Sequence, residues 1–162
     1  MNLIRVTSNE DIISLASLAR EIWFEHFPKV ITVDQIEYMV NKFQSVEAIT
    51  EQINTGYEYF LCENESEYLG FCCVKNEESQ LFISKLYVHA SARGKKVGLF
   101  MLNYIENLAR DRNKKSIYLT VNKYNDLAVS FYHKTNFTLT REDVFDIGNG
   151  YVMDDYIFEK EV

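Results

Sequence analysis

The spacing of apolar positions changes along the chain, and each change predicts a new element. Leu3 to Thr7 alternates apolar and polar residues, as a first strand does. Ile12, Ile13, Leu15, Ala16, Leu18, Ala19, Ile22 and Trp23 then recur at helical spacing up to about Phe27, and Pro28, the only proline, breaks the run. Ser8 with Asp11 reads as a capping box at its start, and Thr32 with Gln35 as a second one, opening a helix through Ile36, Met39, Val40 and Phe43. Ser45 can cap a short third helix, Val46 to Ile53, ending near Gly56. Tyr57 to Glu63 and Tyr68 to Lys75 read as strands, with a hairpin turn at Asn64-Glu65-Ser66-Glu67. A turn at Asn76 to Ser79 leads into the next strand.

That strand, Leu81 to Val88, opens the most informative stretch. A turn, His89 to Gly98, follows it. Then Met101, Leu102, Ile105, Leu108 and Ala109 recur at helical spacing, with Asn103, Glu106, Asn107 and Arg110 between them. A helix N-terminus is the positive end of its dipole and attracts acids. Here Arg93, Lys95 and Lys96 cluster just before the helix, and its first turn, Val97 to Phe100, carries no acid. Cations and free backbone N–H groups together make a phosphate site. A solvated basic turn accounts for Arg93-Gly94-Lys95-Lys96, taken alone, equally well.

After a polar break at Asn113-Lys114-Lys115, Ser116 to Val121 reads as a strand, and Asn125 can cap a helix from Asp126 to about Lys134. Phe137 to Val144 and Tyr151 to Phe158 read as two terminal strands joined across Asp146 to Gly150. There is no internal repeat, linker or low-complexity tract. The expectation is one mixed α/β domain spanning residues 1–162.

Composition narrows the function classes. At 162 residues and 47% hydrophobic, the chain can bury its own core. A net charge of −7 with a pI near 5.0 argues against nucleic acid as the main partner and suits a cationic substrate. Cys62, Cys72 and Cys73 show no metal-ligand spacing and read as buried free thiols in a reducing cytoplasm, with Cys72 and Cys73 on opposite strand faces. No signal-peptide pattern or run of membrane-spanning length appears, so a cytoplasmic protein without membrane contact or bound metal is expected.

The helix after Val121 adds a second motif. Asn125, Ala128, Phe131 and Tyr132 share one helical face, a pattern that core packing alone would also produce. Strand–RGxxxG–helix followed by strand–NxxAxxFYxxxxF resembles the GCN5-related N-acetyltransferase (GNAT) superfamily. The resemblance covers the whole chain, and its specific parts are Leu86 to Gly98 and Asn125 to Phe137. Trp23 with Gln35-Ile36-Glu37-Tyr38-Met39 looks like the bacterial polyamine N-acetyltransferase branch.

This resemblance implies an α+β fold: a single mixed, mostly antiparallel sheet of about seven strands flanked by helices. It implies acetyl-CoA as co-substrate and a small primary amine as acceptor, with a homodimer as an option that no residue decides. The main chain of Leu86, Tyr87 and Val88 would pair with the pantetheine arm. The loop Arg93, Gly94, Lys95, Lys96, Val97 and Gly98 would wrap the pyrophosphate. Asn125 would hold the pantetheine end, with Ala128 and Phe131 on the same wall and Lys134 near a phosphate. Tyr132 would be the general acid.

The sequence departs from the family at three positions. Lys96 replaces the first glycine of the pyrophosphate motif Q/R-x-x-G-x-G/A. Ser84 stands where many relatives have a glutamate that serves as the base or positions its water. Asn136 stands where glycine is frequent, and asparagine tolerates the left-handed conformation.

An alkyl ammonium with a pKa near 10.4 is neutral in only about one molecule per thousand at pH 7, so its proton must be removed before attack. His26, at the end of the first helix, is one candidate base, and a water chain ending on Glu25 is another. His89 and His133 are placed less well, and the third option is no dedicated base. Glu25, Glu37, Asp143, Asp146, Asp154 and Asp155 are acids that could attract a polycation. The alternatives to a polyamine enzyme are an acetyltransferase acting on a protein N-terminus, amino acid or aminoglycoside, and a non-catalytic CoA-binding module.

Overall fold

The structure, a computed structural model, describes all 162 residues. Strands β1 (Asn2–Arg5), β2 (Tyr57–Asn64), β3 (Glu67–Asn76), β4 (Gln80–Val88), β5 (Ser116–Asn122), β6 (Thr138–Gly148) and β7 (Tyr151–Glu161) form one sheet in the order β1-β2-β3-β4-β5-β7-β6. Only β4 and β5 are parallel. The mixed, mostly antiparallel seven-stranded sheet is therefore the expected one.

The helices are α1 (Asn9–His26), α2 (Val33–Phe43), α3 (Val46–Asn54), α4 (Val97–Asp111) and α5 (Asp126–Lys134). Ser8 and Asp11 form the reciprocal capping box at the start of α1. Thr32 caps α2 through the Gln35 amide, but that box stays half closed. The Gln35 side chain instead donates to the Val152 carbonyl, 3.2 Å away. Ser45 and Asn125 cap α3 and α5 as expected.

The two faces of the sheet carry separate cores. On one, Cys62, Cys72, Leu81 and Ile83 meet α4 and α5 through Met101, Leu102, Ile105 and Tyr132. On the other, Tyr59, Leu61, Phe71 and Cys73 meet α1 and α3 through Leu15, Ala19, Ile22 and Ile49. Adjacent Cys72 and Cys73 thus serve opposite cores, and all three thiols are free and buried. A third cluster, Trp23, Phe27, Ile36, Met39, Val40 and Ile147, ties α1 and α2 to the tip of the β6–β7 hairpin.

Two features open the centre of the sheet. The β3–β4 register slips where Cys73 faces Lys85 and Val74 faces Ile83, leaving Ser84 as a bulge. A bulge bends its strand and increases local twist. Correspondingly, β4 pairs with β5 only from Gln80↔Ser116 to Ile83↔Leu119. Beyond that point the strands splay: β5 stays with β7 to Asn122↔Asp155, and β4 stays with β3 to Val88↔Gly70. The edge of β4 from Ser84 onward therefore has no strand partner on the β5 side. Gly70 permits the close approach that holds β4 there, since a Cβ at that position would stand 2.4 Å from the Tyr87 carbonyl oxygen.

The terminal hairpin differs from expectation. β6 continues four residues past Val144, to Gly148, and only Asn149-Gly150 turns. Both turn residues have positive φ (54° and 78°), as a type I′ turn requires. At the other end β1 stops at Arg5, short of the expected Thr7: the Val6 amide still donates to the Tyr59 carbonyl at 2.9 Å, but the Thr7 and Ser8 amides turn to the Asp11 carboxylate at the start of α1.

Candidate active site

A cleft of about 500 Å³ passes through the sheet at the splay. One wall is the edge of β4, from Ile83 through Ser84, Leu86, Tyr87 and Val88. The opposite wall is the end of β5, Leu119 to Asn122, with Met153 and Asp155 of β7. On the α4–α5 face the cleft opens between Arg93, Gly94, Lys96, Val97 and Gly98 of the loop and Asn125, Ala128, Phe131 and Tyr132 of α5. On the other face Trp23, His26, Phe27, Ile31 and Met39 line it. Lys95 and Lys134 are exposed and outside the lining, so twelve of the fourteen site residues expected from sequence converge.

The loop is built for close approach by backbone. Gly94 (φ 76°) and Lys96 (φ 63°) are both left-handed. Lys96 is the N-cap of α4 and supplies no side-chain cap, so the first amides of the helix keep no side-chain acceptor. A left-handed non-glycine costs on the order of 1 kcal/mol, and such strain is characteristic of ligand-gripping backbone. The positive charge is less unbalanced than the sequence suggested. Arg93 holds Glu25 of α1 through two hydrogen bonds of 3.0 and 2.5 Å, a bridge across 68 residues that no local pattern reveals. That contact holds the Glu25 carboxyl below its ordinary range. Lys95 and Lys96 make no ion pair and remain the cations facing solvent at the helix N-terminus.

Tyr132 sits on the first-core side of the cleft. Its ring packs between Phe131 (5.3 Å between centroids) and Phe137 (5.4 Å), and the residue is 6% exposed. Burial raises its hydroxyl's pKa above the ordinary value, so the group holds its proton. Gly98 packs against this wall, and a Cβ there would meet Phe131 at 3.5 Å, an ordinary contact.

The side chain of Asn125 does two things. Its Oδ1 caps α5 by accepting from the Ala128 amide at 3.4 Å, and it lies 3.1 Å from His26 Nε2. The imidazole Nε2–H donates in this contact, which joins α1 to α5 over the cleft. Of the other histidines, His89 is bound to Glu21 at 2.9 Å and Ser91 at 2.8 Å, and His133 packs edge-on against Phe158. Neither lines the cleft.

The acids separate just as clearly. Glu37 is held by Arg20, and Asp154 by Lys123. Asp143 and Asp146 accept from nearby backbone amides. Only Asp155 among the six lines the cleft.

The sheet is thus split between its two parallel strands, with a strained basic loop at one mouth of the cleft and apolar side chains at the other. The model of the acetyltransferase (GNAT) family matches residues 15–137. Spermidine N(1)-acetyltransferase of Thermoplasma acidophilum is 24% identical over 156 residues, covering 93% of this chain and 94% of that one. The crystal structure of PaiA N-acetyltransferase from the same organism, solved with coenzyme A, superposes with a TM-score of 0.80 at 23% identity over all of both chains. A GCN5-related N-acetyltransferase from Rhodopseudomonas palustris superposes at 0.84 with 17% identity, over 99% of this chain and 95% of that one. The chain belongs to the acetyltransferase (GNAT) family and is an acetyl-CoA-dependent N-acetyltransferase.

Proposed function

We propose that this enzyme acetylates a primary amine of a small molecule and that polyamines are its preferred acceptors. The observation that carries this reading is the acceptor half of the cleft. Trp23, Phe27, Ile31, Met39 and Met153 make an apolar channel of the kind an aliphatic methylene chain fills, with one carboxylate, Asp155, in its wall. The net charge of −7 favours approach of a polycation. The similarity to a spermidine N(1)-acetyltransferase supports the same class.

On the other face, the unpaired edge of β4 at Leu86, Tyr87 and Val88 offers main-chain hydrogen bonds to the amides of pantetheine. The amides of Gly94 to Gly98 and the ammonium of Lys96 receive the pyrophosphate. Lys95 adds long-range attraction from outside the cleft, as does exposed Lys134. The Asn125 amide group, Ala128 and Phe131 form the wall beside the reactive end of the arm. An amide N–H of the splayed β4 edge can stabilise the oxyanion formed on attack. Tyr132, protonated and in the wall, donates to the departing thiolate.

Release of CoA thiol measured with spermidine, spermine, amino acids and aminoglycosides tests the reading. The highest kcat/KM is expected with a polyamine. A higher value with an amino acid or aminoglycoside would reassign the acceptor, and no turnover with any amine would overturn the proposal. Tyr132→Phe should lower kcat about 10²-fold while calorimetric acetyl-CoA binding stays unchanged. A non-catalytic CoA-binding module would show binding with no rate to lose.

A further inference from the structure

We propose that Asp155 of β7 accepts the proton of the attacking amine, taking the catalytic place that Ser84 cannot fill. The inference rests on the amine-acetyltransferase reading above and names the missing base within it.

Asp155 pairs across the sheet with Asn122 of β5 and with Asp143 of β6. Its neighbour Tyr156 packs on the α4–α5 core, so strand alternation turns Asp155 to the opposite, acceptor face. Tyr132 approaches the same splay from the α5 face. A donor for the leaving sulfur and a carboxylate for the incoming nitrogen thus stand on opposite sides of one opening. That arrangement suits addition to a thioester carbonyl, because nitrogen and sulfur occupy different corners of the tetrahedral carbon and each needs its own proton-transfer partner.

The carboxylate itself carries the second observation. Asp155 is 1% exposed, and its Oδ1 is buried with no hydrogen-bond partner in the protein. A buried unpaired carboxylate oxygen is costly, and native structures rarely keep one without a functional reason. Asp155 is part of the cleft lining, so an ammonium in the cleft comes to the same carboxylate.

Most charged groups around it are engaged by other protein groups. Asp154, next on the strand, is taken by Lys123 at 2.6 Å, and Lys123 also holds Glu142. Asp143, across on β6, accepts from the Val144 amide. Tyr87 of β4 faces the carboxylate from the other cleft wall. Lys85 of β4 directs its ammonium to Phe43, Gln52 and Tyr59. His26 of α1, also in the cleft lining, gives its Nε2–H to Asn125 and keeps Nδ1 without a protein partner. Burial pushes the Asp155 carboxyl up to about 6, with the Thr120 hydroxyl pulling the other way, Asp154 adding to the rise and Lys123 opposing it. A proton affinity nearer neutrality makes it a better acceptor than an ordinary aspartate.

The step balances as follows. The ammonium gives one proton to Asp155 and attacks the thioester carbonyl carbon, forming the C–N bond. The C–S bond then breaks with its electron pair on sulfur, and Tyr132 gives the thiolate its proton. The nitrogen, made acidic by C–N bond formation, loses its second proton to water in the cleft, and the Tyr132 phenolate takes one back from water. Asp155 releases its own proton to water through the cleft. The products are the amide, CoA thiol and one proton.

Steady-state kinetics of the wild type and Asp155→Asn with spermidine, from pH 5.5 to 9.5 at saturating acetyl-CoA, decide the matter. The wild-type kcat/KM should rise up to an inflection near 6 and then run level. Asp155→Asn should lose about 10²-fold or more at pH 7, and its rate should climb log-linearly with pH as neutral amine accumulates. Its acetyl-CoA affinity by calorimetry should match the wild type. Retention of the wild-type rate or of the inflection by Asp155→Asn would overturn the proposal.

If that variant does not fold, Thr120→Val serves instead. Loss of its hydroxyl should move the wild-type inflection to higher pH, and an unmoved profile would overturn the proposal equally. The two readings fail differently. A wild type inert towards every amine brings down both, whereas an active wild type matched by Asp155→Asn brings down this one alone.

Discussion

Lys85 and Asp155 are both buried ionisable residues bordering the same cleft, and the protein treats them in opposite ways. Lys85 is 8% exposed, and its ammonium has three acceptors. It donates to Gln52 Oε1 at 2.8 Å, to the Phe43 carbonyl at 3.2 Å and to the Tyr59 hydroxyl. Tyr59 in turn donates to Gln52 at 2.6 Å. This network links β4 to β2, to α3 and to the end of α2, next to the bulge at Ser84. Asp155, more deeply buried still, leaves an oxygen bare beside the cleft. Burial shifts both away from their charged forms, Lys85 down to about 8 and Asp155 up to about 6. The ammonium of Lys85 finds all its partners within the protein, whereas Asp155 Oδ1 has none there.

The comparison breaks first at Tyr59. Tyr59→Phe removes an acceptor from a buried ammonium and should cost about 2–3 kcal/mol in urea unfolding at pH 7. A loss under about 0.5 kcal/mol would show that the network is not structural.

Asp155→Asn should act in the reverse sense. The folded-state carboxyl titrates near 6, above its ordinary 3.8, so the native state binds the proton more tightly than the unfolded chain does. The charged carboxylate therefore destabilises the fold above pH 6, and this penalty shrinks as pH falls and is gone below about pH 4. The variant should be about 1–2 kcal/mol more stable than wild type at pH 8, with the gain disappearing towards pH 4. Equal stability at both pH values would contradict the assigned burial.

The smallest expected effect lies at the loop. Lys96→Gly relieves a left-handed lysine and should stabilise by about 0.5–1 kcal/mol, read as a higher urea midpoint at unchanged m-value. A destabilised variant would mean that the lysine stem contributes packing beyond its strain.

Local chemistry made much of this molecule readable in advance. The Ser8–Asp11 box, the Ser45 and Asn125 caps and the apolar periods predict five helices within a residue or two at most ends. Asn149-Gly150 is a type I′ pair, and its two-residue turn carries β6 past Val144 to Gly148. Sequence patterns did not reveal what depends on distant pairing. The bulge at Ser84 exists only relative to β3, and the splay only because β5 turns to β7. The Glu25–Arg93 bridge and the His26–Asn125 contact join residues far apart in the chain, and they engage two of the candidate bases named from the sequence. Asp155 was one acid among six until the sheet order β5-β7-β6 placed its strand beside the opening.

The central claim is that the splay between β4 and β5 seats the thioester between Tyr132 and Asp155. A crystal structure of the enzyme with acetyl-CoA tests it most directly. The account predicts the pantetheine arm along Leu86 to Val88, the sulfur within hydrogen-bond reach of the Tyr132 hydroxyl, and the acetyl group open to the Asp155 side. An arm bound elsewhere, or an acetyl carbon walled off from Asp155, would contradict it.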